Sequence, residues 1–227
     1  MTRRRFDHGG WSAAIAVLAI AWSSVPAHAA VLSGFVHTPN DGGSARSTAN
    51  AYAGRANSLP GRHETRVGAV TDAVIYFEET PAGTLPENSD RGRTLAQRDQ
   101  AFVPRVLAIP VGAAVDFPNM DPIFHNVFSV SPACHFDLGK YPKGRSRQVT
   151  FRKAGVVNVY CDIHSSMAAW IVVVAHPWFT RPAADGSFAL PDVPPGSYRV
   201  VAWHPDLPTV TREVTIPAGG ATVELRF

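Results

Sequence analysis

Beyond residue 30, no stretch keeps a helical apolar period for more than a turn or two. The apolar runs are short, several alternate with polar residues, and the chain's 19 prolines and 18 glycines punctuate them. This is the pattern of short strands joined by turns, and it predicts an all-β protein. At 227 residues and 45% hydrophobic, the chain can bury one or two cores. That composition excludes a disordered chain, and no glycine triplet or heptad persists to suggest collagen or a coiled coil.

The first residues read as an export signal. Arg3, Arg4 and Arg5 precede an apolar, alanine-rich stretch from Ser12 to Trp22 that is too short to span a bilayer. Ala27-His28-Ala29 is a small-x-small cleavage site, so residues 1–29 would be removed and the mature chain would begin at Ala30. The alternative is an uncleaved anchor. Thr2-Arg3-Arg4-Arg5-Phe6 also resembles a twin-arginine signal, from which Asp7 and His8 depart, so the export route stays open. The formal charge of +3 owes much to this segment. The near-neutral remainder shows no basic stripe, so no nucleic-acid partner is expected, and partner docking should depend on apolar contact more than on salt. A periplasmic or secreted protein with no membrane span after cleavage is the expectation.

Val31–Val36 and Ala73–Phe77 read as strands, the second apolar enough for burial on both faces. Residues 38–66 form a polar loop, and Thr80–Arg98 has turn residues and charges without apolar period, as a linker does. Phe102–Val111 reads as one strand with Val103, Leu107, Ile109 and Val111 on a shared face, and its two prolines confine it to an edge or an irregular position. Ala114–Phe117, His125–Val130, Gln148–Phe151, Val156–Cys161 and Ala168–Ala175 follow. Ser187–Leu190, Tyr198–Trp203, Val210–Ile216 and Ala221–Phe227 close the chain.

The densest chemistry lies in Cys161-Asp162-Ile163-His164-Ser165-Ser166-Met167, between two strong strands, with His125 opening an earlier one. Two imidazoles, a thiolate and a weak axial thioether make a type 1 copper ligand set: His125, Cys161, His164 and Met167. The soft ligands suit Cu(I) and the imidazoles accommodate Cu(II), so little need reorganise when one electron moves. Val157 and Val159 share the parity of Cys161, which turns its sulfur inward and limits oxidation. Taken singly, each residue has a plainer reading as a core or surface side chain. A Cys134–Cys161 disulfide is the sharpest competitor, because it would remove the thiolate.

These residues resemble the cupredoxins, the plastocyanin, azurin and amicyanin group. Cys-x2-His-x2-Met looks like their short ligand loop, and Val115-Asp116-Phe117-Pro118-Asn119-Met120-Asp121 followed by His125-Asn126-Val127-Phe128-Ser129 looks like the strand bringing the first histidine. The resemblance implies a Greek-key β-sandwich over about residues 98–178 holding one copper ion. It also implies that Asn126 ties the two ligand loops together. Phe136-Asp137-Leu138-Gly139-Lys140-Tyr141 is similar to a stretch of the periplasmic methylamine-utilisation-like proteins of that group. Cys134 and His135 stand outside the family pattern: Cys134 reads as a buried thiol, with a free reactive thiol or a dimer link as alternatives, and His135 as a surface imidazole, with a rival metal ligand as the alternative. Asp185-Gly186-Ser187-Phe188, Val193-Pro194-Pro195-Gly196-Ser197-Tyr198 and the closing strand resemble carboxypeptidase-regulatory-like, prealbumin-like sandwich modules. So do Gly34-Phe35-Val36 and Ala73-Val74-Ile75-Tyr76, and Trp203-His204 would be module packing beside a surface imidazole. Together they predict a sandwich of residues 30–80 and 180–227, split by a linker at 81–97 and a copper domain at 98–178.

Four protein ligands leave no open coordination position, so an electron carrier rather than an enzyme is expected. The remaining histidines are scattered, and no nucleophile elbow or paired catalytic carboxylates stand out. The alternatives are a periplasmic copper carrier or buffer, or an extracellular binding module stapled by copper. The resemblance further implies that the loop histidine, His164, reaches the surface through an apolar rim. Pro122, Ile123 and Phe124 are the candidate docking residues for an unidentified protein redox partner.

Overall fold

The computed structural model describes residues 30–39, 68–82 and 93–227; the signal-like segment, most of the 38–66 loop and the middle of the expected linker lie outside the described residues. In chain order the strands are β1 (Ala30–His37), β2 (Val74–Phe77), β3 (Ala96–Arg98), β4 (Ala101–Val103), β5 (Val106–Pro110), β6 (Ala114–Pro118), β7 (His125–Ser131) and β8 (Cys134–Tyr141). They continue as β9 (Ser146–Thr150), β10 (Gly155–Tyr160), β11 (Ala168–Val174), β12 (Phe179–Thr180), β13 (Ser187–Val193), β14 (Gly196–His204), β15 (Leu207–Ile216) and β16 (Ala221–Arg226). The fold is all-β, and among the described residues no helix is long and apolar enough to cross a membrane.

The strands gather around two cores. In the first, β1 lies between β13 and β16, while β2 lies between β12 and β14, with β15 beyond. Leu32, Val36, Ile75, Phe77, Trp178, Leu190, Val200 and Leu225 fill the space between these sheets. β1 can pass this closely only because of Gly34, where a Cβ would lie 1.9 Å from the Val223 carbonyl oxygen. β2 is buried on both faces as its sequence predicts: Ile75 and Phe77 enter this core, and Val74 joins Val106, Val172 and Val174 in a small cluster between the two units. Beside that cluster Arg105 holds Asp72 at 2.8 Å and Asp206 at 3.0 Å, with its guanidinium 4.6 Å above the Trp170 ring.

The second core lies between the sheet β5-β11-β10-β7-β8 and the pairs β6-β9 and β3-β4. Val115, Phe117, Val127, Phe151, Val157, Val159 and Ile171 fill it. Several readings need correction here. Phe102–Val111 is two strands broken at Pro104-Arg105, so Val103 does not share the buried face of Leu107 and Ile109 and is 46% exposed. The expected linker stops short of its C-terminal end, because Leu95 is fully buried and Ala96–Arg98 pairs with β4. β8 was not anticipated as a strand, although Cys134, Phe136 and Leu138 alternate with exposed His135 and Asp137 and pack against the core.

His204 is not a surface imidazole. It is buried, with Nε2 3.3 Å from the Ala69 carbonyl oxygen, and His176 is likewise buried with Nε2 2.9 Å from the Phe77 carbonyl oxygen. Burial lowers the pKa of both rings. The unfolded chain therefore binds more protons than the folded one just below the ordinary imidazole range, and stability should fall as pH drops through it.

Candidate metal centre

The alternation of β10 delivers the first donor. Val157 and Val159 are fully buried, and Cys161, two residues further, keeps their parity and is 1% exposed. The chain then leaves the sheet, and the Met167 N–H donates to the His164 carbonyl (3.0 Å), closing a turn that returns it to β11. That turn sets His164 half-buried at the surface and Met167 fully inside, in the same core as Cys161. Opposite, the first residue of β7 is His125, fully buried.

The three strong donors converge. His125 Nδ1 and His164 Nδ1 are 3.0 Å apart, and the Cys161 sulfur lies 4.0 Å and 3.8 Å from them. The rings meet edge to face with centroids 4.7 Å apart. A point in the plane of these atoms and equidistant from them lies about 2.1 Å from each, close to ordinary metal–nitrogen and metal–sulfur bond lengths. The His2Cys set fits an ion held in trigonal fashion. Both cysteines are free, so no Cys134–Cys161 disulfide competes.

Asp121 supports this arrangement, and sequence reasoning gave it no role. It is 6% exposed, and its Oδ2 accepts from His125 Nε2 at 2.8 Å. With that nitrogen carrying the proton, Nδ1 presents its lone pair to the site. Burial alone would raise the Asp121 pKa, but the N–H groups of Gln100, His125 and Asp99 together hold it below its ordinary value. The available signal was a carboxylate four residues before the first histidine. Asp121→Ala should weaken copper binding about 10–100-fold in competition titrations with a chelator. An unchanged affinity would show that His125 needs no such anchor.

Asn126 behaves differently from expectation. It is buried, but its Nδ2 donates to Asp137 on β8 (2.7 Å), and its Oδ1 has no partner in the structure. No hydrogen bond from it to the 161–167 loop occurs among the described residues. Asn119 is the organiser of this end instead: its Nδ2 donates to the carbonyls of Ile123 (2.8 Å) and Tyr141 (2.9 Å), and its Oδ1 accepts from the Asp121 N–H. Beneath it Gln97 donates to the Tyr141 hydroxyl, which donates to the Phe117 carbonyl. Burial pushes the Tyr141 hydroxyl up to about 12.

Pro122, Ile123 and Phe124 are exposed, the last at 57%. Met120 and Ile163, which sequence reasoning did not single out, extend the exposed apolar surface. His135 is exposed and Cys134 half-buried, its thiol pKa raised by burial.

Comparison with known proteins gives partial likenesses. Residues 177–224 match the family described as polysaccharide lyase family 4, domain II, where the turn motifs had suggested a carboxypeptidase-regulatory-like module. No curated protein matches. Among solved structures, the chain is similar to a Cu-containing nitrite reductase from Thermus scotoductus SA-01 at 31% identity and a TM-score of 0.34. That likeness covers 35% of this chain and 21% of the reductase, so the chain spans about a fifth of that protein. A purple cupredoxin from Nitrosopumilus maritimus is 26% identical over 33% of this chain and 83% of its own, with a TM-score of 0.31. An amicyanin variant in the Cu(I) state is 20% identical over 44% and 97%, with a TM-score of 0.35.

Proposed function

We propose that this chain is an exported type 1 copper protein that carries single electrons between protein partners, with copper held by His125, Cys161, His164 and Met167. The observation that carries the reading is the convergence of the two Nδ1 atoms and the Cys161 sulfur. Bound there, copper would supply a one-electron Cu(II)/Cu(I) couple.

The protein's part is to hold the donors still and keep water away. Cys161 and Met167 are buried in one core with Val157, Val159, Ala169 and Tyr141, and His125 is fully buried as well. Asp121 fixes the His125 ring, and β10 and β11 clamp both ends of the ligand loop, pairing Tyr160 with Ala168. Rigid donors suited to both oxidation states lower the reorganisation that accompanies electron movement. The same burial and bracing argue against ready release of the metal, which a copper carrier would need. The proposed ligand set leaves no open position for a substrate, which favours electron carriage over catalysis.

The test is the optical and EPR spectrum of the protein loaded with Cu(II). One equivalent should give an intense thiolate-to-copper charge-transfer band; a colourless one-to-one complex would overturn the assignment. In this reading the half-exposed His164 gives the electron its path to the surface, and the exposed Ile123, Phe124 and Ile163 form the apolar rim. Ile123→Lys and Phe124→Lys should therefore leave the copper spectrum nearly unchanged while slowing electron exchange with a protein partner. Unchanged exchange in both variants, at low and high salt, would remove this rim as the docking site.

A further inference from the structure

The near-neutral charge of the chain after residue 29 conceals a strong local asymmetry. From residue 138 to 161 the chain has Lys140, Lys143, Arg145, Arg147, Arg152 and Lys153 and no carboxylate. All six are exposed along the C-terminal end of β8, the turn after it, β9 and the turn beyond. The facing carboxylates are few: Asp162 is 3.8 Å from Lys140, and Asp116 on β6 accepts from Gln148. Asp137 accepts from Asn126 and from the Gly139 N–H. Arg147 lies over the Tyr141 ring at 5.1 Å. Among the described residues, no carboxylate lies within ion-pair distance of Lys143, Arg145, Arg147, Arg152 or Lys153. The expectation that no basic stripe exists is thus corrected: the six cations fall within residues 140–153, a cluster already present in the sequence.

This strip begins at the metal end. The Asn119 N–H donates to the Arg145 carbonyl (2.9 Å), the Gly144 N–H donates to the Asn119 carbonyl (2.8 Å), and Asn119 Nδ2 donates to the Ile123 carbonyl (2.8 Å). The Lys143–Arg145 turn is therefore fixed against the loop that bears Ile123 and Phe124. On the other side, Lys140 reaches Asp162, the neighbour of Ile163 and His164. From Ser146, paired with Pro118, β9 runs about 13 Å away from the site to Thr150, and Arg152 and Lys153 lie beyond its far end.

We propose that the Lys140–Arg147 strip is one half of a docking surface for a soluble redox protein whose contact face is carboxylate-rich beside an apolar centre. The proposal rests on the electron-carrier reading above. An apolar centre that excludes water, flanked by charge that steers and orients, is the anatomy of a transient protein interface. A polyanion alone would leave the apolar rim unused, and it is placed among the test's outcomes. Unpaired surface charge on one side raises the encounter rate and is screened by salt, whatever the net charge of the whole chain.

The test uses a plant-type [2Fe–2S] ferredoxin as the acidic probe and mitochondrial cytochrome c as the basic one. One electron passes from the reduced ferredoxin to Cu(II), which becomes Cu(I), followed by stopped flow. The ferredoxin rate should fall about tenfold or more as ionic strength rises past the point where the Debye length drops below ~10 Å. K143E/R145E should lose about tenfold at low salt, K143Q/R145Q less, and the copper spectrum should not change. R152E/K153E, far from the site, should lose only a fraction of that, and exchange with cytochrome c should not share the salt-dependent fall. In the metal-free protein, titration with the same ferredoxin should shift the amide resonances of residues 140–147 and 120–124. A salt-independent ferredoxin rate, or K143E/R145E behaving as wild type, overturns the surface. So does binding to phosphatidylglycerol vesicles or heparin that K143E/R145E loses while ferredoxin exchange persists. A copper centre that ferredoxin and dithionite both fail to reduce would instead overturn the electron-carrier reading, and the amide shifts would still judge the surface by themselves.

Discussion

Cys161→Ser protein loaded with Cu(II) should lack the intense visible band altogether. The band requires electron density to move from a thiolate sulfur to the metal, and serine offers no soft donor at that position. His125 and His164 remain 3.0 Å apart at Nδ1, so a pale complex of lower affinity should still form. The hydroxyl would sit at a position 1% exposed, among Val157, Val159 and Ala169, and stability should drop by about 1–3 kcal/mol if it finds no partner. Met167→Leu separates the axial position from the trigonal one. It replaces a fully buried thioether with an apolar side chain of similar volume, so the fold should be nearly unaffected. The band should survive and the reduction potential should rise, because a weak donor to Cu(II) is lost. A band that persists in Cys161→Ser would mean that the thiolate is not the donor.

What could be read in advance follows from how local each feature is. The inward turn of Cys161 was legible because the period of two in Val157-Asn158-Val159-Tyr160-Cys161 needs no information from elsewhere, and the structure keeps that alternation. His164 is half-exposed, and Ile123 and Phe124 are exposed. The role of Asp121 was not legible. Its carboxylate is fixed by the N–H groups of Asp99 and Gln100, which reach it only because the β3–β4 turn takes both residues through positive φ, 54° and 55°. β8 was legible but missed: Cys134, Phe136 and Leu138 pack against the core while His135 and Asp137 are exposed, a period of two that breaks only at Gly139. It is an edge strand with Gly139 at positive φ, and its Asp137 accepts from Asn126 on β7. Asn126 itself was assigned by resemblance. Asp137 across the β7–β8 pair competes for its amide and wins. The basic strip is local and legible in residues 140–153; what is non-local is its placement at the metal end, where the turn at 142–145 folds against Asn119.

The fragment comprising residues 180–227 should not fold alone, although it contains four of the strands around its core. We propose that residues 30–80 and 180–227 are one folding unit split by the copper domain, and strand order supplies the reason. β13 and β16 do not touch each other in the sheet; β1 lies between them, antiparallel to one and parallel to the other. β14 likewise loses β2 from its inner side. Removing the N-terminal segments takes Leu32, Val36, Ile75 and Phe77 from the core. At about 1.5–3 kcal/mol for each such side chain, the loss matches the ~5–15 kcal/mol that stabilises a whole domain. It also exposes unpaired backbone on three strands. Circular dichroism of this fragment should show no cooperative thermal transition, and mixing it with a polypeptide of residues 30–82 should restore strand signal. By contrast, a fragment of residues 93–178 keeps Leu95 and the whole second core, and should fold and take up one copper ion. Starting it at residue 96 would delete Leu95, which is fully buried, and should lower its melting temperature. A sharp melting transition from residues 180–227 by themselves would show that the C-terminal strands find their own pairing, and the split sandwich would be wrong.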